Sequence, residues 1–248
     1  MNKVQVVILC GGKGTRFLPL TEHIPKVLVE VCDKTVLNHK LDALVDLASE
    51  IILVVGYLKE KIINSIGDNY MGIPIKYVEQ KEQLGTGHAL MCCKDLLDEK
   101  FMVLNGDDIY LKSDLENLAL CEFGMLGMEV ENPSSFGVLK IDVKDNLVEI
   151  VEKPENPPSN LVNIGVYMFT TDIFDFELKL SSRGEYEIVD YLNFLIKHGA
   201  SVKVVPTKFW LPVGNPDELN AAEFALQDLS KAGGCLLYTS PSPRDGLL

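Results

Sequence analysis

Between residues 10 and 26 the chain reads Cys10-Gly11-Gly12-Lys13-Gly14-Thr15-Arg16, then Pro19-Leu20-Thr21, then Pro25-Lys26. Glycines let backbone N–H groups approach phosphate oxygens closely, and Lys13, Arg16 and Lys26 add positive charge in the same neighbourhood. The combination is a cradle for a triphosphate. It is not a Walker A loop, because Lys13 has neither the required glycine spacing before it nor Ser or Thr after it. The GxGxxG fingerprint is also missing, which argues against a dinucleotide-binding oxidoreductase. A glycine-rich turn taken alone is equally well a tight strand-to-helix connection; the added cations make the segment specific.

The same residues resemble the signature of the sugar-phosphate nucleotidyltransferases, GGxGTRxxPLT followed by PK, here GGKGTRFLPLTEHIPK. Members join a nucleoside triphosphate to a sugar 1-phosphate and release pyrophosphate, a step of nucleotide-sugar biosynthesis. The resemblance implies that Gly11, Gly12, Lys13, Gly14 and Thr15 bind the nucleotide, that Arg16 contacts its β and γ phosphates, and that Lys26 binds substrate phosphate. Further along, Gln80-Lys81-Glu82-Gln83-Leu84-Gly85-Thr86-Gly87-His88-Ala89 resembles the family's base-binding loop in its uridylyltransferase form. The Gln80 amide offers a donor and an acceptor together, matching the O4 and N3–H edge of uracil or thymine, so UTP or dTTP is the expected donor. A glutamine that merely ends a strand is the bland alternative. Gly85 and Thr86 complete the nucleotide side. A guanylyltransferase for mannose 1-phosphate is disfavoured, since such enzymes tend to carry Glu in place of Gln80.

Phe101 to Asp108 reads FMVLNGDD and ends an apolar run on carboxylates. Asp107 matches the family's GD metal ligand, and a hard carboxylate there suits Mg²⁺. Asp108 stands behind it or is solvated. On the sugar side the resemblance assigns Gly137 a backbone contact, Glu152 and Asn163 the sugar hydroxyls, and Lys153 the sugar phosphate, although Asn163 could simply end a strand. One departure is evident. Many relatives carry W-x-D-x-G near the last helix, the Asp being a second Mg²⁺ ligand, whereas this chain has Trp210-Leu211-Pro212-Val213-Gly214. Proline has no side-chain oxygen. Asn215 and Asp217 are explained as an N-cap and a dipole-favoured acid. Either Asp107, phosphates and water suffice for the metal, which Mg²⁺ chemistry favours, or the chain is a non-catalytic homologue that binds a nucleotide sugar and regulates a partner.

These residues need a scaffold. Apolar runs of strand length fall at 4–10, 51–57, 75–79 and 101–105, the first, second and fourth nearly continuous, as in strands buried on both faces. Between them Leu37, Leu41, Leu44, Val45 and Ala48 share one helical face, as do Ala89, Cys93, Leu96 and Leu97. Strand alternating with helix predicts a Rossmann-like α/β fold, a mixed but mainly parallel sheet flanked by helices, with ligands beyond the carboxyl ends of the strands. The runs at 125–130, 137–143, 147–153 and 163–170, separated by turn-formers, predict antiparallel strands added in the second half. Asn215-Pro216-Asp217-Glu218 opens a final helix expected from about Pro216 to Ala232.

The chain has 248 residues, 47% hydrophobic and 24% charged, enough to build a large core. Its 36 acidic against 23 basic side chains give a net charge of -13, which opposes attraction to nucleic acid or an anionic membrane. An anionic ligand must therefore meet a local basic cluster. No signal peptide or membrane span is recognisable in the opening residues, and the six cysteines lack zinc-site spacing and read as reduced core residues, so a cytoplasmic protein is expected. Homo-oligomerisation is left open. Residues 1–234 are expected to form the nucleotidyltransferase domain. Residues 235–248, CLLYTSPSPRDGLL, resemble the translation of a transposon-based sequencing adapter and are expected to be a non-native tail.

Overall fold

A computed structural model describes residues 3–231; the predicted tail lies outside them. In chain order the strands are β1 (Val4–Leu9), β2 (Glu30–Val31), β3 (Lys34–Thr35), β4 (Ala48–Val55), β5 (Asn69–Tyr70), β6 (Ile73–Glu79), β7 (Lys100–Asn105), β8 (Asp108–Tyr110), β9 (Gly124–Glu129), β10 (Gly137–Ile141), β11 (Leu147–Glu152), β12 (Leu161–Thr170), β13 (Lys203–Thr207) and β14 (Trp210–Pro212). The helices are α1 (Val36–Ala43), α2 (Lys59–Ile66), α3 (Thr86–Met91), α4 (Lys112–Ala119), α5 (Val189–Lys197) and α6 (Pro216–Lys231).

The main sheet runs β11-β10-β12-β7-β1-β4-β6-β5, with β9 paired to β12 and β13 to β9. Pairs β1–β4, β1–β7 and β4–β6 are parallel, while β12 runs antiparallel to β7, β9 and β10. This is the predicted Rossmann-like arrangement with antiparallel strands added in the second half. The continuous apolar runs are explained by burial on both faces: Val6, Ile8, Leu53, Met102 and Leu104 face one core, and Val7, Ile52, Val54, Phe101 and Val103 the other. From β1 the chain steps outward to β4 and β6, then returns to β7 on the opposite side of β1. That reversal is a topological switch point, and a crevice opens beyond the ends of β1 and β7.

Two helical faces are shorter than their periodicity implied. α1 ends at Ala43, Asp46 takes a left-handed φ of 69°, and Ala48 already begins β4, although Leu44 and Ala48 stay buried. α3 ends at Met91 and gives way to a 3-10 turn at Lys94–Leu96, leaving Leu96 exposed rather than on the apolar face. The final helix starts as predicted: Asn215 Oδ1 accepts N–H bonds from Asp217 and Glu218, both at 3.0 Å, and Pro216 occupies its first position. Its expected end at Ala232 lies outside the described residues. A third cluster, with Phe17, Val31, Ile109, Val213 and Ala222, packs α6 beneath the opening loop.

Candidate active site

The loops at the carboxyl ends of β1, β6 and β7 enclose a cavity of about 350 Å³. Gly11, Gly12, Lys26, Gln80, Gly85, Thr86 and Asp107 line it, so seven of the residues picked from sequence converge. Strand pairing accounts for this. Leu9 is registered with Asn105, which brings the loops that follow β1 and β7 side by side. Gly106 permits the approach, because a Cβ there would stand 2.4 Å from Leu9 O.

Lys26 Nζ forms an ion pair with Asp107 Oδ2 inside the cavity. Burial opposes the charge on Asp107, yet the Lys26 ammonium beside it holds the carboxyl below the ordinary carboxylate range. Asp108, next in the chain, behaves oppositely. Burial, joined by the charge of Asp107, pushes its carboxyl up, and its Oδ2 lies 3.0 Å from the Tyr110 hydroxyl.

Gln80 is buried, and its Nε2 donates to Gly85 O at 3.0 Å and lies 3.1 Å from His88 Nδ1. Its Oε1 faces Gly11, where a Cβ would stand 3.1 Å away. Gln83 Nε2 donates to Gly11 O at 2.7 Å, tying the two loops together. Gly85 takes a φ of 100° and packs against Tyr186, while Thr86 Oγ1 accepts the Ile188 N–H at 3.1 Å. The other residues of the opening loop lie apart from this cavity. Lys13 lines a neighbouring hollow with Tyr57, Glu79 and Lys81. Gly14 O accepts from Thr21 Oγ1 at 2.7 Å, and Thr15 begins a 3-10 turn, Thr15–Phe17. Arg16 is exposed, its guanidinium beside Gly214.

A second cavity, about 380 Å³, shares Thr86 and Asn105 with the first and takes in Glu152, Asn163, Tyr167, Arg183, Glu187 and Asp190. Asn163 Nδ2 donates to Tyr167 Oη at 2.8 Å, and its Oδ1 accepts the Gly165 N–H at 3.0 Å. Gly137 pairs with Glu152 across β10 and β11. Lys153 is half exposed, its ammonium 3.8 Å from Glu152.

Sequence reasoning passed over Asn105, Gln83, Glu185, Arg183 and Lys40. Asn105 had a signal, since it ends a buried strand two residues before Asp107. Lys40 had one too, falling on the apolar face of Leu37, Leu41 and Leu44. Glu185 and Arg183 had none, because their segment meets the base loop across roughly 100 positions of chain.

A profile of the nucleotidyl transferase family matches residues 5–228. The chain belongs to the nucleotidyl transferase family. This nucleotidyl transferase is 41% identical over 236 residues to the UTP–glucose-1-phosphate uridylyltransferase AglF of Haloferax volcanii, covering 91% of this chain and 97% of AglF. It is 40% identical over 231 residues to the bifunctional protein GlmU of Methanocaldococcus jannaschii, covering 92% of this chain and 55% of GlmU. The chain thus spans about half the length of that relative. Among solved structures, a Bacillus anthracis protein assigned provisionally as a glucose-1-phosphate thymidylyltransferase, crystallised with sucrose, matches with a TM-score of 0.82 at 27% identity, over 91% of this chain and 96% of that one. These similarities place the chain among the sugar-phosphate nucleotidyltransferases, as the signature at 11–26 implied.

The metal expected from that family can be tested against the donors present. Asp107 offers one hard carboxylate, 32% exposed at the cavity. Position 212 is registered opposite Asp108 in the β8–β14 pair, and the Val213 N–H bonds Asp107 O at 3.0 Å, so Pro212 lies beside the Asp107 turn with no side-chain oxygen to offer. Among the described residues there is no cluster of three or more His, Cys, Asp or Glu side chains arranged for a metal. One carboxylate fits Mg²⁺ completed by phosphate oxygens and water, which is how Mg²⁺ is commonly held in phosphate chemistry. Among the described residues no helix is long and apolar enough to cross a membrane.

Proposed function

We propose that this chain transfers a nucleotidyl group from UTP or dTTP to a hexose 1-phosphate in the cytoplasm, releasing pyrophosphate. The observation that carries the reading is the convergence of Lys26, Asp107 and the Gly11–Gly12 backbone with Gln80 in one cavity, which shares Thr86 and Asn105 with a second that holds Glu152 and Asn163. The sugar phosphate is already ionised at neutral pH and attacks the α-phosphorus in line, so no general base is required. The protein has to overcome repulsion between two anions and hold them at attack distance. Lys26 supplies cationic charge inside the cavity. Gly11 and Gly12 offer backbone to the polyphosphate, and Gln80, with Gly85 and Thr86, frames the base. Arg16 and Lys153 line neither cavity, and their proposed roles, at the outer phosphates and the sugar phosphate, require them to reach in when substrate is bound. Asp107 would hold Mg²⁺, which when bound neutralises charge gathering on the phosphate oxygens.

A screen of nucleoside triphosphates against sugar 1-phosphates, with Mg²⁺ present and product mass as readout, tests the reading. Formation of a UDP- or dTDP-sugar supports it. Absence of any nucleotide sugar, with pyrophosphate release also absent, favours the second reading, a non-catalytic homologue that binds a nucleotide sugar. Pro212 beside Asp107 is the observation on which that second reading rests.

A further inference from the structure

The turn that carries Asp107 is held from behind by a cation that does not line the cavity. Lys40, in the middle of α1, is 1% exposed. Its Nζ donates to Asn105 O at 2.7 Å and to Asp108 O at 2.5 Å, the two carbonyls that bracket Gly106 and Asp107. The ammonium also lies 4.9 Å from the centre of the Tyr110 ring. Tyr110 Oη is in turn 2.8 Å from Ile164 O, on β12.

A buried ammonium is expensive unless every donor is matched. At a position flanked by Leu37, Leu41 and Leu44, leucine would pack without a buried charge but would leave the Asn105 and Asp108 carbonyls without this donor, so what lysine serves here is the turn rather than the helix packing. What Lys40 adds is a pair of charge-assisted bonds to the backbone on either side of Asp107. Asn105, one of the two residues bonded, lines both cavities.

We propose that Lys40 is a positioning residue for nucleotidyl transfer, fixing the Asn105–Asp108 turn so that Asp107 is presented to the cavity before substrate arrives, with Tyr110 as its support. The inference deepens the proposed function and, for its kinetic part, rests on it. In Lys40→Met the side-chain volume is nearly kept and the donors are lost. Its expected kcat for pyrophosphate release is about tenfold to hundredfold below that of the parent, at a nearly unchanged KM for nucleotide. Hydrogen exchange at the amides of 105–109 should quicken while β1 and β4 keep their protection. Lys40→Arg, which retains the cation, should recover most of the loss. Leu41→Ala, a cavity in the same helix, should lower Tm and leave kcat near the parent value.

Parent-like kcat or unchanged local exchange in Lys40→Met would overturn the proposal, as would an equal loss of kcat in Leu41→Ala. Should Lys40→Met not fold, Tyr110→Phe carries the test: faster exchange at 105–109 and a reduced kcat sustain the proposal, and parent-like behaviour rejects it. If the parent itself shows no transfer activity, the proposed function falls, while the exchange measurement still decides whether Lys40 holds the turn.

Discussion

Lys26 Nζ rests on Asp107 Oδ2, an ion pair closed across 81 positions of chain. Each partner neutralises the other at the point where the triphosphate is expected, so an arriving polyphosphate exchanges one anion for another around Lys26. Lys26→Ala removes that cation and leaves the Asp107 charge facing an anionic substrate. Losing one such contact typically lowers turnover by about 10²–10³-fold. The expected result is a folded protein by circular dichroism with pyrophosphate release reduced by that factor; near-normal release would count heavily against the assignment.

Gly85 is a tight point of the base loop, closed in by backbone. Its φ of 100° is strained for any L side chain, and a Cβ would stand 2.6 Å from Tyr186 O and 2.9 Å from Glu185 Cβ. The loop is stitched to that segment through Tyr186 N–H to Leu84 O and Gly87 N–H to Tyr186 O, both at 2.8 Å. Gly85→Ala therefore has to push the two apart, at a cost of about 1–3 kcal/mol, or several degrees in Tm. The same displacement moves Gln80, whose amide donates to Gly85 O, so KM for nucleotide should rise in parallel. A variant with parent-like Tm and KM would show that the loop yields freely.

Much of this site was legible in the sequence because its parts lie at the ends of strongly apolar strands. Once β1 and β7 are recognised, the parallel sheet brings Gly11 and Asp107 together without further information. β14 was not legible, since Trp210-Leu211-Pro212 contains a proline that argues against a strand; it is tolerated here in a short two-stranded pair. Nor was the meeting of Gly85 with Tyr186, which depends on where the segment before α5 is laid down by tertiary packing. Lys40 was visible as a charge on an apolar stripe, but its two partners, the carbonyls of Asn105 and Asp108, are brought to it only by the tertiary placement of β7 and β8.

The β8–β14 register gives Pro212 a specific consequence. The pairing of Pro212 with Asp108 sets position 212 next to the Asp107 turn, where a carboxylate would join Asp107 at the proposed Mg²⁺ site. Pro212→Asp adds that second hard oxygen ligand. The expected outcome is a lower Mg²⁺ concentration for half-maximal activity, with the pair retained because an edge strand accepts either residue. Mn²⁺ titration followed by electron paramagnetic resonance, with nucleotide present, checks this without relying on turnover. An unchanged cation affinity would mean that position 212 does not reach the metal.

The second cavity carries an electrostatic bias that should select among sugar phosphates. Glu152, Glu187 and Asp190 line it against a single guanidinium, Arg183. That cation is already engaged, with Nη2 donating to Glu187 Oε1 at 2.8 Å and Nη1 standing 3.7 Å from Glu152. A hexuronic acid 1-phosphate would bring its carboxylate toward these groups, and like-charge contact in a partly enclosed site is a means of rejecting a ligand. The expected kcat/KM for glucuronic acid 1-phosphate is lower than for glucose 1-phosphate by about tenfold or more, equivalent to about 1.4 kcal/mol. Glu187→Gln frees part of the Arg183 charge and should narrow the ratio. Equal efficiency for the two substrates, unaltered in that variant, would show that the sugar binds elsewhere than between Glu152 and Arg183.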